Sequence, residues 1–154
     1  MVEIREVQEN DFEDVSNFLH RSMNLNWSAK TWKSLFSYRW DCHRQHSGYI
    51  LLDSDQIVGS IGGIFSRRLI KGKWENFVCA TSWSVLPKYR NHSIKLLMSL
   101  MRTKDVHFRT CGSLPELQPL LKIVFKNDLE AQKTYFFSYL PSFQRDKVKI
   151  FSKM

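Results

Sequence analysis

No stretch of this sequence approaches the roughly 18 consecutive apolar residues that a membrane-crossing helix requires. The opening "MVEIREVQEND" lacks the apolar segment of a secretory leader. A soluble, cytoplasmic protein without a membrane span is therefore expected. Cysteine is scarce: Cys42, Cys79 and Cys111 are three in number, far apart, and contain no Cys-x-x-Cys pair. That excludes a disulfide framework and gives no zinc or other metal site, and it fits a reducing compartment. Long runs of one charge are also missing, although 23 Lys and Arg against 15 acidic residues leave a formal charge of +8. The surplus favours anionic partners in general. Because the basic residues come as singles and pairs ("SRRLIKGK", "PKYR", "QRDKVKIFSK"), no nucleic-acid-binding tail is indicated and a nucleic-acid partner is not expected. Repeats, low-complexity tracts and linkers are absent too, and 154 residues fit a single domain over 1–154.

What the chain does have is apolar and aromatic mass. Hydrophobic residues make up 43% and aromatic residues 14%, far from the composition of a disordered chain. "VEIREV" alternates as a half-buried strand does. "NDFEDVSNFLHRSM" then carries Phe12, Val15, Phe18, Leu19 and Met23 at helical spacing, with Asn10 and Glu13 placed as an N-terminal cap. "SAKTWKSLFSYRW" gives a second helix with Trp32, Leu35, Phe36 and Trp40 on one stripe. Two hairpins follow, turning at Asp53–Asp55 and near Gly72. The last arm sets Phe77, Cys79, Thr81, Trp83 and Val85 on one face and Val78, Ala80, Ser82 and Ser84 on the other. Ile94, Leu97, Met98 and Met101 predict the buried stripe of a third helix, and "DVHFRT" a short strand. Ser113 and Glu116 form a capping box for a helix with Pro115 in its first turn and Leu117, Leu120, Leu121 and Val124 inward. "KTYFFSYL" and "KVKIFSK" close the chain as a strand pair.

The stretch "SWSVLPKYRNHSIKLLMSLMR" places a cationic turn between a strand and a helix. Unpaired N–H groups at a helix start, aided by the helix dipole, hold anions, so this turn reads either as a phosphate seat or as an ordinary turn with solvated charges.

The order strand, two helices, three antiparallel strands, helix, strand, helix and two strands resembles the GNAT superfamily of acyl-CoA N-acyltransferases. The most specific part of that resemblance is "VLPKYR", Val85 to Arg90, followed by Asn91, His92, Ser93, Ile94 and Lys95. It implies an α/β (α+β) fold with a mixed, mostly antiparallel central sheet flanked by helices. It also implies acetyl-CoA or another acyl-CoA as cofactor, with Val85 beside the pantetheine arm. Val85, Leu86, Pro87, Arg90, Asn91, His92, Ser93, Ile94 and Lys95 would then hold the coenzyme. Ser93 and Lys95 depart from the pattern, standing where the family prefers glycine and glycine or alanine. Ser93 is small and keeps a hydroxyl donor, whereas Lys95 either crowds or clasps the diphosphate. Val124 replaces a late glycine, and Leu120 stands where many members carry the tyrosine that protonates the departing thiolate.

The implied reaction moves an acyl group to a small-molecule or peptide amine by direct attack. Such attack needs a deprotonated amine, a polarised carbonyl and a proton path. Strand N–H groups near Ser84 and Val85 supply polarisation. "FVCATSWSV" contains no carboxylate, so Ser82 and Ser84, with Thr81, are the catalytic candidates, acting by ordering a water. Glu75 is a strand-end residue of the kind normally solvated, and His107 is either a proton carrier or a strand histidine. Cys79 and Cys111 read as small apolar residues rather than nucleophiles. The Trp27, Trp32 and Trp40 group reads either as core or as the wall of an acceptor site. A different class of reading is a catalytically degenerate CoA-binding or protein-interaction module, favoured by Ser93, Lys95, Leu120 and the carboxylate-free strand.

Overall fold

A computed structural model describes residues 1–38, 44–110 and 119. The chain separates into two compact units, Met1–Leu114 and Pro115–Met154, and the sheet with its three helices belongs to the first. The expectations for Trp40, Cys42, Cys111, the Ser113–Glu116 capping box, Leu120 with its helical stripe, and the closing strand pair lie outside the described residues.

Strand β1 (Val2–Glu6) leads through a 3-10 turn at Glu9–Asp11 into helix α1 (Phe12–Ser22). A short helix α2 (Ala29–Lys33) follows and tightens to 3-10 geometry at Ser34–Phe36. Strands β2 (Gly48–Asp53), β3 (Gln56–Ile70) and β4 (Lys73–Val85) come next, then a 3-10 segment Pro87–His92, helix α3 (Ser93–Met101) and strand β5 (His107–Thr110). The sheet runs in the order β1-β2-β3-β4-β5, antiparallel from β1 to β4, with β5 parallel to β4. This is the mixed, mostly antiparallel sheet flanked by helices that the sequence implies. β3 is long enough to serve both hairpins. Each turns on two residues of positive φ, Ser54 with Asp55 and Lys71 with Gly72, the geometry that matches the twist of paired strands.

Helices cover both faces of the sheet, so β2 is apolar in succession rather than alternately. Ile50 and Leu52 join Val15, Phe18, Leu19, Trp32 and Phe36 on the α1–α2 face. Leu51 joins Ile61, Phe65, Val78, Leu96, Leu97 and Leu100 on the α3 face.

Four local expectations are corrected. α1 is not capped by Asn10. Asn10 lies inside the 3-10 turn Glu9–Asp11, and the Asp11 carboxylate that ends that turn takes both Arg5 guanidinium bonds at 2.6 and 2.8 Å and the Gln8 N–H at 2.7 Å. That bonding, from Arg5 first, holds the Asp11 carboxyl below its usual range. Met23 falls at the end of α1 and is exposed. The second helix breaks early; Ser28 caps it, accepting the Thr31 N–H at 3.2 Å, and Trp27 precedes it, exposed, with its ring 4.9 Å from the buried Trp32 ring. The α3 stripe is Leu96, Leu97 and Leu100 with Met101 beside them, while Ile94 is 41% exposed. α3 is apolar at 94, 96, 97, 98, 100 and 101, so two overlapping stripes share Leu97 and Met101, and the sheet buries the one that carries Leu96 and Leu100.

Candidate functional site

The two-face reading of β4 fails at one place, and that place organises the site. Gly62 pairs with Thr81 and Ser60 with Ser84, so β4 spends two residues, Ser82 and Trp83, opposite Ile61 alone. Ser82 takes φ +44, a left-handed conformation unusual outside glycine. This is a β-bulge, in which one added residue re-aims every later side chain of the strand. Val78 and Ala80 before it and Trp83 and Val85 after it thereby all reach the α3-face core.

Hydroxyls collect on the opposite face. Ser84 donates to the Ser22 Oγ of α1 at 3.0 Å. Ser60, paired with Ser84, shares that face, and a Cβ on Gly62 would lie 2.7 Å from the Ser82 Oγ and 2.9 Å from the Thr81 Cγ2. Glycine is required at 62 for that close approach. Ser82 is 8% and Ser60 0% exposed, and neither hydroxyl finds a partner among the described residues. Buried polar groups are nearly always bonded, and orphans concentrate where a ligand or water completes them.

β5 pairs with β4 only from Phe77 to Ala80, so among the described residues Thr81–Val85 have a strand partner on the β3 side alone. From there the chain enters the cationic turn. The Leu86 N–H bonds the Val58 carbonyl at 2.9 Å, and the Tyr89 hydroxyl donates to the Asp53 carboxylate at 2.8 Å, fixing the turn to the β2–β3 hairpin. Chiefly through that hydrogen bond the Asp53 carboxyl sits below its ordinary range. Pro87 opens the 3-10 segment, Arg90 and Asn91 are exposed, His92 is half-buried, and Ser93 begins α3 with Ile94 and Lys95 exposed in its first turn. The structure thus brings Leu86 to Lys95 together as one exposed arc beyond the end of β4. Within it the Tyr89 N–H serves the Leu86 carbonyl and the Ser93 N–H the Arg90 carbonyl. α3 continues directly from this 3-10 segment, so its first turn follows helical backbone rather than an open loop.

Glu75 and His107 lie at the other end of β4. They pair with each other at 3.2 Å, and Lys73 adds a contact to Glu75 at 3.3 Å. The His107 bond first, then Lys73, holds the Glu75 carboxyl low. Glu75 lies seven strand positions from Ser82, about 23 Å of strand, and His107 sits opposite Phe77, five positions or about 17 Å away, so neither group reaches the bulge. Cys79 is a half-buried thiol with its Sγ 3.7 Å from the Ala80 carbonyl. Among the described residues no three His, Cys, Asp or Glu side chains gather as metal ligands. No helix there is long and apolar enough to cross a membrane.

Sequence reasoning missed Ser22, Ser60, Tyr89 and a groove of about 740 Å³ between α1 and the start of β3, lined by Asp14, His20, Ser22, Asp55, Val58 and Leu86 among others. Its His20 donates from Nδ1 to the Trp27 carbonyl at 2.7 Å. The bulge left no mark in the apolar pattern; the register alone shows that an extra residue in "TSWS" puts Val78, Ala80, Trp83 and Val85 on one face.

Solved structures repeat this architecture at low identity. An aminoglycoside 6'-N-acetyltransferase from Acinetobacter baumannii is 13% identical with a TM-score of 0.63, over 91% of this chain and 99% of that one. A glucosamine-6-phosphate N-acetyltransferase from Arabidopsis thaliana is 11% identical with a TM-score of 0.59, over 89% and 99%. A conserved protein of unknown function from Enterococcus faecalis is 11% identical with a TM-score of 0.56, over 77% of this chain, which spans only 31% of that protein's length. No curated protein matches the sequence significantly. The sequence pattern of the Acetyltransferase (GNAT) domain, however, matches residues 3–113. With that match over most of its length and the GNAT sheet, the chain belongs to the GNAT superfamily.

Proposed function

We propose that this protein transfers an acetyl or other acyl group from acyl-CoA to an amine acceptor by direct attack. The observation that carries the reading is the Ser82 bulge, with its orphaned buried hydroxyl, one short stretch before the exposed arc Leu86–Lys95. Both ends of the required coenzyme find complementary chemistry there: a polar donor where a thioester would lie and cationic residues where phosphates would lie. Arg90, Asn91, His92, Ser93 and Lys95, with Val85, Leu86, Pro87 and Ile94 shaping the turn, would hold acyl-CoA, which supplies the activated acyl group. Lys95 points to solvent from the first turn, which suits clasping a diphosphate better than blocking it. Ser82 would orient the carbonyl. Ser84 and its partner Ser22 would order the water that accepts the amine's proton. The groove along α1 carries the carboxylates of Asp14 and Asp55 against the one guanidinium of Arg21, a balance that suits an amine acceptor. The half-buried Cys79 thiol suits a reducing cytoplasm.

A second reading, a CoA-binding or interaction module without catalysis, is favoured by one observation. The Tyr89 and Ser93 N–H groups are spent inside the turn, leaving fewer backbone donors for a diphosphate. Melting the protein with and without millimolar CoA tests what both readings share, since a ligand of the folded form raises its melting temperature. Arg90→Glu is expected to weaken CoA binding by about tenfold, the order of one charge-assisted contact. Acyl transfer across an amine panel then separates enzyme from module, and the absence of a CoA shift sinks both.

A further inference from the structure

Among the described residues, the β3–β4 hairpin runs past the rest of the sheet. β2 pairs with β3 only as far as Gly62, and β5 begins opposite Phe77. Residues Arg67 to Trp74 are therefore exposed without a break. The arm beyond its neighbours is about 13 Å long, from four residues on each strand at strand rise. Its tip carries three large apolar side chains in solvent, Leu69 at 58%, Ile70 at 43% and Trp74 at 56% exposure. Leu69 and Trp74 stand directly opposite each other and so share a face, while Ile70, opposite Lys73, lies on the other. Around them are Arg67, Arg68, Lys71 and Lys73; among the described residues of the arm the carboxylate is that of Glu75, engaged by Lys73 and His107. The Arg67 guanidinium sits 4.6 Å over the Trp74 ring, and that of Arg68 5.7 Å over Phe77.

An apolar tip collared by cations matches one surface in both respects. We propose that this hairpin docks on an anionic lipid bilayer, Leu69, Ile70 and Trp74 entering the headgroup boundary while Arg67, Arg68, Lys71 and Lys73 meet lipid phosphates. Tryptophan is favoured at that boundary because its ring is apolar and its N–H stays wet. Each nearby cation raises partition on the order of fivefold, and each buried apolar group adds to it. The rival occupants fit less well. A nucleic acid would use the cations but leave Leu69 and Ile70 in water, and the face of Trp74 it would stack on carries Arg67. A second copy of the hairpin would bring two cationic collars together. Bilayer docking at this tip is independent of acyl transfer at the bulge.

The test is cosedimentation of the full chain with vesicles of phosphatidylcholine alone and of phosphatidylcholine with phosphatidylglycerol, at low and high salt. Binding to the anionic vesicles at least tenfold above the neutral ones, weakened by salt, is expected. The triple variant Leu69→Ser, Ile70→Ser, Trp74→Ser, with an unchanged melting curve, is expected to lose about tenfold in partition at constant charge. Bromine-labelled lipid chains should quench tryptophan emission in the native protein and much less in Trp74→Phe. Equal binding of native and triple variant, or no preference for anionic lipid, overturns the proposal. So does tight binding of a duplex oligonucleotide that the triple variant leaves intact in the absence of native anionic-vesicle binding.

Discussion

Ser82 is held in a backbone conformation that costs energy, with a buried hydroxyl that gains no bond in return among the described residues. A group in that condition destabilises the fold it sits in, and removing the unpaired hydroxyl removes the desolvation penalty. Alanine and serine share the steric cost of positive φ, so Ser82→Ala isolates the hydroxyl. The expected outcome is a protein as stable or more stable by about 1 kcal/mol in a denaturant titration. If the hydroxyl serves the acyl group, acyl transfer should fall by about 10-fold or more at the same time, the scale of one donor to a developing charge. A loss of both stability and activity would mean instead that Ser82 is part of the packing. Ser84 differs, because its bond to Ser22 ties β4 to α1 and its loss should lower stability.

At the scale of the element, the bulge depends on what the neighbouring strand leaves empty. An added Cβ at Gly62 would meet the Ser82 Oγ at 2.7 Å and the Thr81 Cγ2 at 2.9 Å, and the Thr81 backbone oxygen at 3.4 Å. Gly62→Ala is therefore expected to cost about 1–3 kcal/mol as an overpacking change, read as a lower denaturation midpoint with an unchanged slope. The same place marks how far the sequence could be read. Apolar periodicity identified α1, β2, the two hairpins and β5, because burial against a helix or sheet repeats with the element's own period. It misassigned the faces of β4 beyond Thr81, since one inserted residue reverses every side chain after it while leaving the list of apolar positions intact. It missed the buried stripe of α3 for another reason: the helix is apolar on nearly every side, so two overlapping stripes fit the same spacing and only the packing decides between them. Of the site, the turn from Val85 to Lys95 was legible as a motif. The contacts of Ser22, Ser60 and Tyr89 were not, since they join residues far apart in the chain through single hydroxyls.

For the molecule as a whole, the buried His46 links folding to pH. His46 is 9% exposed, its Nδ1 accepts the Gly48 N–H at 3.1 Å, and its Nε2 meets the Thr103 hydroxyl at 3.0 Å. Tyr49 and Phe65 pack edgewise on the ring. Only a neutral ring can accept at Nδ1, and Gly48 is a position where the backbone has no slack. Its φ is +129 and a Cβ there would lie 2.1 Å from the Ile61 carbonyl, while its own carbonyl takes the Val7 N–H. Burial pushes the His46 imidazole below its ordinary value, with Glu6 opposing and Arg44 assisting. A folded pKa below the unfolded one means that the unfolded chain binds the proton first. The stability that His46 contributes is thus complete above about pH 6.5, the unfolded value, and declines as pH falls from there toward the folded pKa. The slope from this one group is at most about 1.4 kcal/mol per pH unit. Asp11, also lowered in the fold, acts only below the unfolded carboxylate range near pH 4, so the two windows are separable. Melting temperature measured from about pH 7.5 down to about pH 5, an interval that brackets the ordinary imidazole value, should decline in the native protein. In His46→Gln, destabilised overall by loss of the ring packing, the curve should be flatter over the same interval. An equal slope in the two proteins would assign the acid sensitivity to groups other than His46.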